Sequence, residues 1–381
     1  MKNKTLYYIT NFTPKHFNKT GSDKVPEQVN LFKNNGFSVC YLDVSKGISK
    51  LDYILSKIPF IDIDADLSDM KKIKSNDNVY IRYFQSNIKL IFQLRKIRSK
   101  TKNVKIALEI PTYPYDKELV NFKYNQSIKN IPVYLKDKLT RKYLKKYVDR
   151  IVTFSNDDYI WGIRTIKISN GINMDKVKIR CPIEEKSNSI NMIAVAKFGF
   201  WHGYDRMIKG LGEYYRSSSK KKREINFYIV GSGDIKVEKQ YNYLIKKYNL
   251  ENHVFLTGKK IGDELDKIYD KCDIAVDSMG RYRCNVKYNS TLKGKEYLAK
   301  GLPIISGVRT ELDNMQQFKY YYRVPANDSS VNVNEVIQFY DSVYKGRKKS
   351  QIAKEIRDFC KDKFQLSDCF SKVIDWYKKG E

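Results

Sequence analysis

The sequence contains no C-x-x-C pair. Its six cysteines, Cys40, Cys181, Cys272, Cys284, Cys360 and Cys369, lie far apart, which leaves neither a zinc site nor a small disulfide framework suggested and suits a reducing cytosol. No run of about 18 apolar residues occurs, and the opening MKNKTLYYITNF is too polar for a secretory core. Neither export nor a membrane span is expected, and the expected place is the cytoplasm, with peripheral contact to the inner face of the cell membrane. Solenoid-period repeats and long low-complexity segments are also missing. Zinc-finger spacing, a long basic tail and an RNA-binding aromatic signature are absent too, so no specific nucleic-acid partner is expected.

Acidic residues are in short supply. Lys and Arg total 72 against 43 Asp and Glu, a formal net charge of +29 over 381 residues. Such a balance points to an acidic partner, whether nucleic acid, an anionic membrane surface or a phosphorylated small molecule. The length suits two domains, each large enough to bury a core. A hydrophobic share of 41%, with 30 Tyr and 18 Phe, excludes disorder.

Strand-like and helix-like segments alternate, the pattern of parallel sheets with crossover helices. Strands are predicted at 5–11, 37–43, 79–84, 104–110 and 150–154, then again at 189–196, 225–230, 253–257, 274–277 and 303–306. Val25, Val29 and Phe32 share one helix face, with Pro26 tolerable in the first turn. The turn-rich stretch SNGINMDKVKIRCPIEEKSNS places a boundary between about 170 and 189. The fold class expected is α/β: two doubly wound, Rossmann-like domains, 1–175 and 176–350, followed by helices at 351–381. Ligands are expected at strand C-termini. The DIDAD stretch at 62–66 reads as a solvated loop rather than a metal site.

Three stretches carry candidate chemistry. In STLKGKEYLAKGLPII, Ser290 or Thr291 can cap a helix whose free N–H groups favour a phosphate, and Lys293 and Glu296 lie on one face. The same stretch also reads as an ordinary capped surface helix with an ion pair. AVAKFGFWHGYDRMIKGL puts Lys197, His202 and Gly203 after a strand, and IVGSGD does the same with Gly231 and Gly233. A cation beside a glycine turn can neutralise a diphosphate leaving group.

Taken in order, AVAKFGFWHGYDRMIKGL, YIVGSGD, NHVFLTGKKIGDELDKIYDKCDIAVDS and STLKGKEYLAKGLPII resemble the donor domain of retaining GT-B glycosyltransferases of family 4, or group 1, particularly bacterial enzymes of capsule and exopolysaccharide synthesis. The likeness is strong over 189–307; LEIPTYPYDKEL, RIVTFSND and ISNGIN extend it more weakly. It implies two domains facing a cleft, with the last helices bracing the first domain. It implies transfer of a sugar, with retention, from a nucleotide-sugar to a glycan or lipid-linked acceptor, with no metal or other cofactor. Lys197 takes the place of the base that binds the donor diphosphate, and Glu296 that of the carboxylate on the nucleotide ribose. Ser290, Thr291, Leu292 and Lys293 would contact the phosphates, and Gly21 and Ser22 would approach them from the other domain. Two positions depart from the pattern. His202 stands at a second basic position, and Tyr288 replaces the first acid of E-x7-E, its hydroxyl still able to bond the sugar.

Glu109, in LEIPTYPY, is a candidate for orienting the acceptor hydroxyl, with Thr112, Tyr113 and Tyr115 beside it; a structural Glu before a Pro-rich turn is the alternative. Residues 131–150 place Leu135, Leu139 and Tyr143 at helical spacing among Lys and Arg. Such a helix either lies on anionic lipid or packs its stripe on the first domain. Tyr288 and His202 also motivate a second function, a non-catalytic nucleotide-sugar or glycan-binding protein on the same fold.

Overall fold

The computed structural model describes residues 4–12, 24–45, 66–124, 130–184, 189–217 and 222–379. Gly21, Ser22 and residues 62–65 of the DIDAD stretch lie outside them. The chain divides into two units, Met1–Ile168 with Phe370–Glu381, and Ser169–Cys369.

The first unit holds β1 (Lys4–Thr10), β2 (Phe37–Asp43), β3 (Asn78–Arg82), β4 (Lys105–Ile110), β5 (Arg150–Thr153), β6 (Tyr159–Ile160) and β7 (Ile163–Lys167). They order as β2-β1-β3-β4-β5-β7-β6, and only the β6–β7 pair is antiparallel. Alternation along β1 sends Tyr7 and Ile9 to one core and Leu6 and Tyr8 to the other. Helix Lys24–Asn34 covers the second core with Val25 and Phe32, and Phe370, Val373, Ile374 and Tyr377 of the last helix, Leu366–Lys378, join it. There the Tyr377 hydroxyl donates to the Val79 carbonyl at 2.6 Å.

The second unit is an all-parallel sheet of β8 (Ser189–Val195), β9 (Glu224–Val230), β10 (Val254–Gly258), β11 (Ile274–Val276), β12 (Ile304–Ser306) and β13 (Tyr321–Arg323), ordered β10-β9-β8-β11-β12-β13. Of the two helices expected to brace the first domain, Lys349–Phe364 stays in this unit. Its buried Ile352, Ala353, Ile356 and Cys360 pack on helix Leu292–Lys300. Only the chain from Phe370 onward belongs to the first unit.

All ten predicted strands form, with ends displaced by a residue or two. The β6–β7 hairpin was not foreseen, because its turn residues are Trp161 and Gly162, both at positive φ (52° and 78°), and Trp gives no turn signal in sequence. Three-residue β13 was hidden in the run KYYYRV.

Helix Ile131–Thr140 is turned the opposite way from a core helix. Its inward residues are Asp137 and Thr140, while Leu135 and Leu139 face solvent, as does Tyr143 in the following turn, Arg141–Lys146. The buried Asp137 carboxylate explains the orientation. It accepts hydrogen bonds from the Ser86 amide at 2.7 Å, the Tyr115 hydroxyl at 2.6 Å, Arg141 Nη1 at 3.2 Å and the Tyr83 hydroxyl. Rotating the helix to bury the leucines would carry the carboxylate away and leave these buried donors unpaired. The apolar stripe therefore does not pack on the domain. Among the described residues no helix is long and apolar enough to cross a membrane.

Replacing Asp137 with Ala removes the acceptor and leaves Tyr83, Tyr115 and the Ser86 amide facing a void. Destabilisation of about 3–5 kcal/mol is expected, read as a lower midpoint in urea denaturation followed by tyrosine absorbance; an unchanged midpoint would contradict the role given to this carboxylate.

Candidate functional site

Past the end of β8, residues 196–203 turn across the C-terminal edge of the second sheet. The Phe198 amide donates to the Ser232 carbonyl at 3.0 Å, and the Asp234 amide returns a bond to the Phe198 carbonyl at 3.1 Å. That approach requires the two glycines of IVGSGD. A Cβ on Gly231, whose φ is 137°, would meet the Ala196 carbonyl oxygen at 1.8 Å, and one on Gly233 would meet the Phe198 nitrogen at 2.5 Å. Their place is thus to hold the 196–203 segment in position. Lys197 projects from it, exposed, with no ion pair or hydrogen bond to its ammonium among the described residues.

His202 is buried in the same turn. Its Nε2 lies 2.9 Å from the Lys197 carbonyl, which accepts only, so Nε2 carries the proton and Nδ1 is the acceptor. Lys293 Nζ donates to Nδ1 at 2.9 Å, and the Ser278 hydroxyl stands at 2.9 Å from the same nitrogen. Burial pushes the imidazole pKa well below its usual value, and the charges of Lys293 and Arg281 add to that. His202 is therefore a neutral group that positions Lys293, in place of the direct phosphate contact implied by its alignment with a basic residue. Gly203, at φ 66°, completes the turn; a Cβ there would lie 2.6 Å from the Gly280 nitrogen.

Helix Leu292–Lys300 supplies the facing group. Thr291, not Ser290, is its cap, accepting from the Gly294 amide at 3.1 Å while its own hydroxyl donates to Asp277 Oδ2. Ser290 is committed elsewhere, its hydroxyl oxygen accepting from the Asn170 amide at 2.7 Å. Lys293, in the first turn beside Leu292, has Asp277 Oδ1 at 3.7 Å, Ser278 Oγ at 3.2 Å and the Tyr204 hydroxyl at 3.4 Å around its ammonium. Burial lowers its pKa to about 8 against the opposing pull of Asp277. Glu296 accepts from the Tyr269 hydroxyl at 3.2 Å, and burial raises its pKa while that bond and Lys300 act the other way. No ion pair joins Lys293 to Glu296 among the described contacts. The first turn thus holds the Leu292 and Lys293 amides, which have no acceptor among the described residues, with a partial positive charge and an ammonium beside the Lys197 turn, an arrangement suited to a diphosphate.

Several residues that frame this site were given no role by sequence reasoning. Arg283 grips Asp205 through two bonds of 2.8 and 2.9 Å, both side chains nearly inaccessible, and donates to the Phe200 carbonyl at 2.9 Å. Arg206, fully buried, donates to the carbonyls of Met279, Pro325 and Ser329 at 2.6 to 2.9 Å. These clamps hold the 199–206 segment to the loops after β11 and β13. The sequence signal was a helix start, GYDR, and a strand end, AVDS. Lys295, in the middle of the capped helix, is buried with Glu311 at 2.9 Å and lies over the Phe364 ring at 4.0 Å.

The other candidates have surroundings of their own. Tyr288 is half-buried and bridges in backbone to Arg309. Glu109, in the first unit, is fully buried; its Oε2 accepts from Gln28 Nε2 at 2.6 Å and from the Tyr80 hydroxyl, and Lys24 and Arg82 lie 3.5 and 3.8 Å from Oε1. Burial would raise its pKa, but the two cations hold it below the ordinary value. Tyr115 is bound to Asp137, whereas Thr112 and Tyr113 stay partly exposed, Tyr113 against the Trp161 ring. Among the described residues no group of three or more His, Cys, Asp or Glu side chains is placed to hold a metal ion.

Residues 175–307 match the family described as Glycosyl transferases group 1. No curated protein matches the sequence. Solved structures resemble it over nearly its whole length. A glycosyltransferase from Rickettsia africae is 14% identical with a TM-score of 0.61, covering 99% of this chain and 98% of its own. A trehalose-6-phosphate synthase, OtsA, is 11% identical with a TM-score of 0.63, covering 99% and 100%. Alr3699/HepE of Anabaena, in complex with UDP, is 11% identical with a TM-score of 0.56, covering 98% and 99%. The family match over 175–307 and the two parallel-sheet units thus agree: residues 175–307 match the group 1 glycosyl transferases, and the chain has the GT-B fold.

Proposed function

We propose that the chain transfers a sugar from a nucleotide-sugar to a hydroxyl of a glycan or lipid-linked acceptor, in the synthesis of a surface polysaccharide. The observation that carries this reading is the exposed Lys197 in a turn whose His202 bonds both the Lys197 carbonyl and Lys293, in the capped first turn of helix Leu292–Lys300. The UDP in the Anabaena structure, which shares the fold, supports a nucleotide donor.

In this reading the bond between the anomeric carbon and the β-phosphate oxygen breaks, and its electron pair leaves with the nucleoside diphosphate. Lys197, Lys293 and the helix amides stabilise that charge as it develops, without a metal ion. The acceptor oxygen bonds to the anomeric carbon, and its proton passes to the departing phosphate. Retention of configuration rests on the family resemblance. Glu296 holds the ribose hydroxyls, and Tyr288 bonds the sugar through its hydroxyl.

Calorimetry against UDP-, GDP- and dTDP-sugars tests the donor. One of them is expected to bind, and Lys197→Ala and Glu296→Ala are each expected to weaken it roughly ten- to a hundredfold, the loss of one charge-assisted hydrogen bond. A wild-type protein that binds none refutes the reading; binding without turnover on any glycan acceptor favours the non-catalytic alternative. Turnover is expected to survive EDTA, and loss of activity restored by manganese would refute the metal-free mechanism.

Lys293 adds a pH dependence. With its pKa at about 8 in the free protein, its charge is present below that value and lost above it, so donor affinity is expected to fall as pH rises beyond about 8. Lys293→Met should bind more weakly and show no such step. The sign for stability is opposite. The unfolded lysine titrates at about 10.4, so between the two values the unfolded chain binds more protons, and this group's contribution to stability rises with pH.

A further inference from the structure

Large exposed apolar side chains are concentrated on one face of the first unit. Ile88, Phe92, Phe122, Leu135, Leu139 and Tyr143 are each between 44% and 73% exposed, and all lie in the two crossovers that follow β3 and β4. Helix Ile88–Lys100 buries Leu90, Leu94 and Ile97, and the second crossover buries Leu144, in one core on the same side of the sheet. Helices Ile88–Lys100 and Ile131–Thr140 touch each other on that side. Ile88 and Phe92 stand one turn apart on the first, Leu135 and Leu139 one turn apart on the second. Asp137 prevents the second helix from turning its leucines inward, so the exposure is built into the packing.

The charge on these two elements is largely positive, with Arg141 paired to Asp116 of the neighbouring short helix Asp116–Leu119. Helix Ile88–Lys100 has five basic residues and no acidic one, and residues 131–146 have six basic residues against Asp137 alone, which is buried. Lys142 and Lys146 flank the Tyr143 ring at 5.2 and 5.9 Å. Exposed apolar side chains set among lysines and arginines on one face lose free energy in water and gain it where hydrocarbon lies beneath anionic headgroups.

We propose that this face docks on an anionic lipid bilayer, with Ile88, Phe92, Leu135 and Leu139 entering the interface and the surrounding lysines and arginines meeting the headgroups. Nucleic acid fits the charge but not the aliphatic side chains, which neither stack on bases nor bond phosphate. The inference stands apart from sugar transfer: a chain without that activity would still present this face.

The test is co-sedimentation of the full chain with phosphatidylcholine vesicles, with and without phosphatidylglycerol. Binding is expected to be at least about tenfold stronger to the anionic vesicles and to weaken with salt. Leu135→Glu with Leu139→Glu, both at exposed positions, should lower that binding about tenfold or more. Lys142→Glu, Lys145→Glu and Lys146→Glu together should do the same, while Ile235→Glu, at an exposed apolar site on the second unit, should change nothing; circular dichroism checks that each variant is folded. Equal binding to both vesicle types, no binding, or folded leucine variants that bind as wild type would each overturn the proposal. So would vesicle-free binding to single-stranded RNA that the lysine variant loses and the leucine variant keeps.

Discussion

A neutral imidazole has one hydrogen to donate and one lone pair to offer, and at His202 both are committed. The hydrogen goes to the Lys197 carbonyl and the lone pair to the Lys293 ammonium. Through this one ring the turn after β8 and the first turn of helix Leu292–Lys300 are tied together, although they lie almost a hundred residues apart. The charge that a basic residue would have brought to position 202 comes from the facing helix, and the two anchors hold it still. The clamps of Arg283 on Asp205 and Arg206 on three carbonyls fix the neighbouring residues, which suits the proposed role, since groups that stabilise a developing charge act best when they need not reorganise.

Glycine makes that geometry available. At Gly203 and Gly231 the backbone is left-handed or beyond the reach of ordinary residues, and neighbouring chain passes where a Cβ would sit. These glycines bring loops to within hydrogen-bonding distance; the side chains around them supply the charge. In the first unit the buried carboxylates of Glu109 and Asp137 work differently. Each gathers hydroxyl, amide and cationic donors from several elements. One knits the C-terminal edge of the sheet to helix Lys24–Asn34, and the other sets the face that helix Ile131–Thr140 turns to solvent.

Much of the fold was legible in the sequence because β-branched runs bounded by glycine and polar turns report strand positions directly. The ten predicted parallel strands follow from that pattern, and the order of the motifs in the second half carried the family resemblance. Thr291, Lys293 and Lys197 could be singled out because a cap, a cation and a strand end are local features. The Trp161 turn was not legible, since only tertiary packing makes a tryptophan adopt positive φ there.

Composition and periodicity by themselves determined that this chain builds two parallel α/β units and that it carries a large excess of positive charge. Which side chains meet was decided by tertiary structure alone. Spacing put Lys293 beside Glu296, yet packing turned it to His202; helical spacing gave Leu135 and Leu139 a common face, yet Asp137 decided that the face points outward. The physical reason is the same in both places. A buried polar group must find its partner, and that partner lies far along the chain, where no local pattern in the sequence records it.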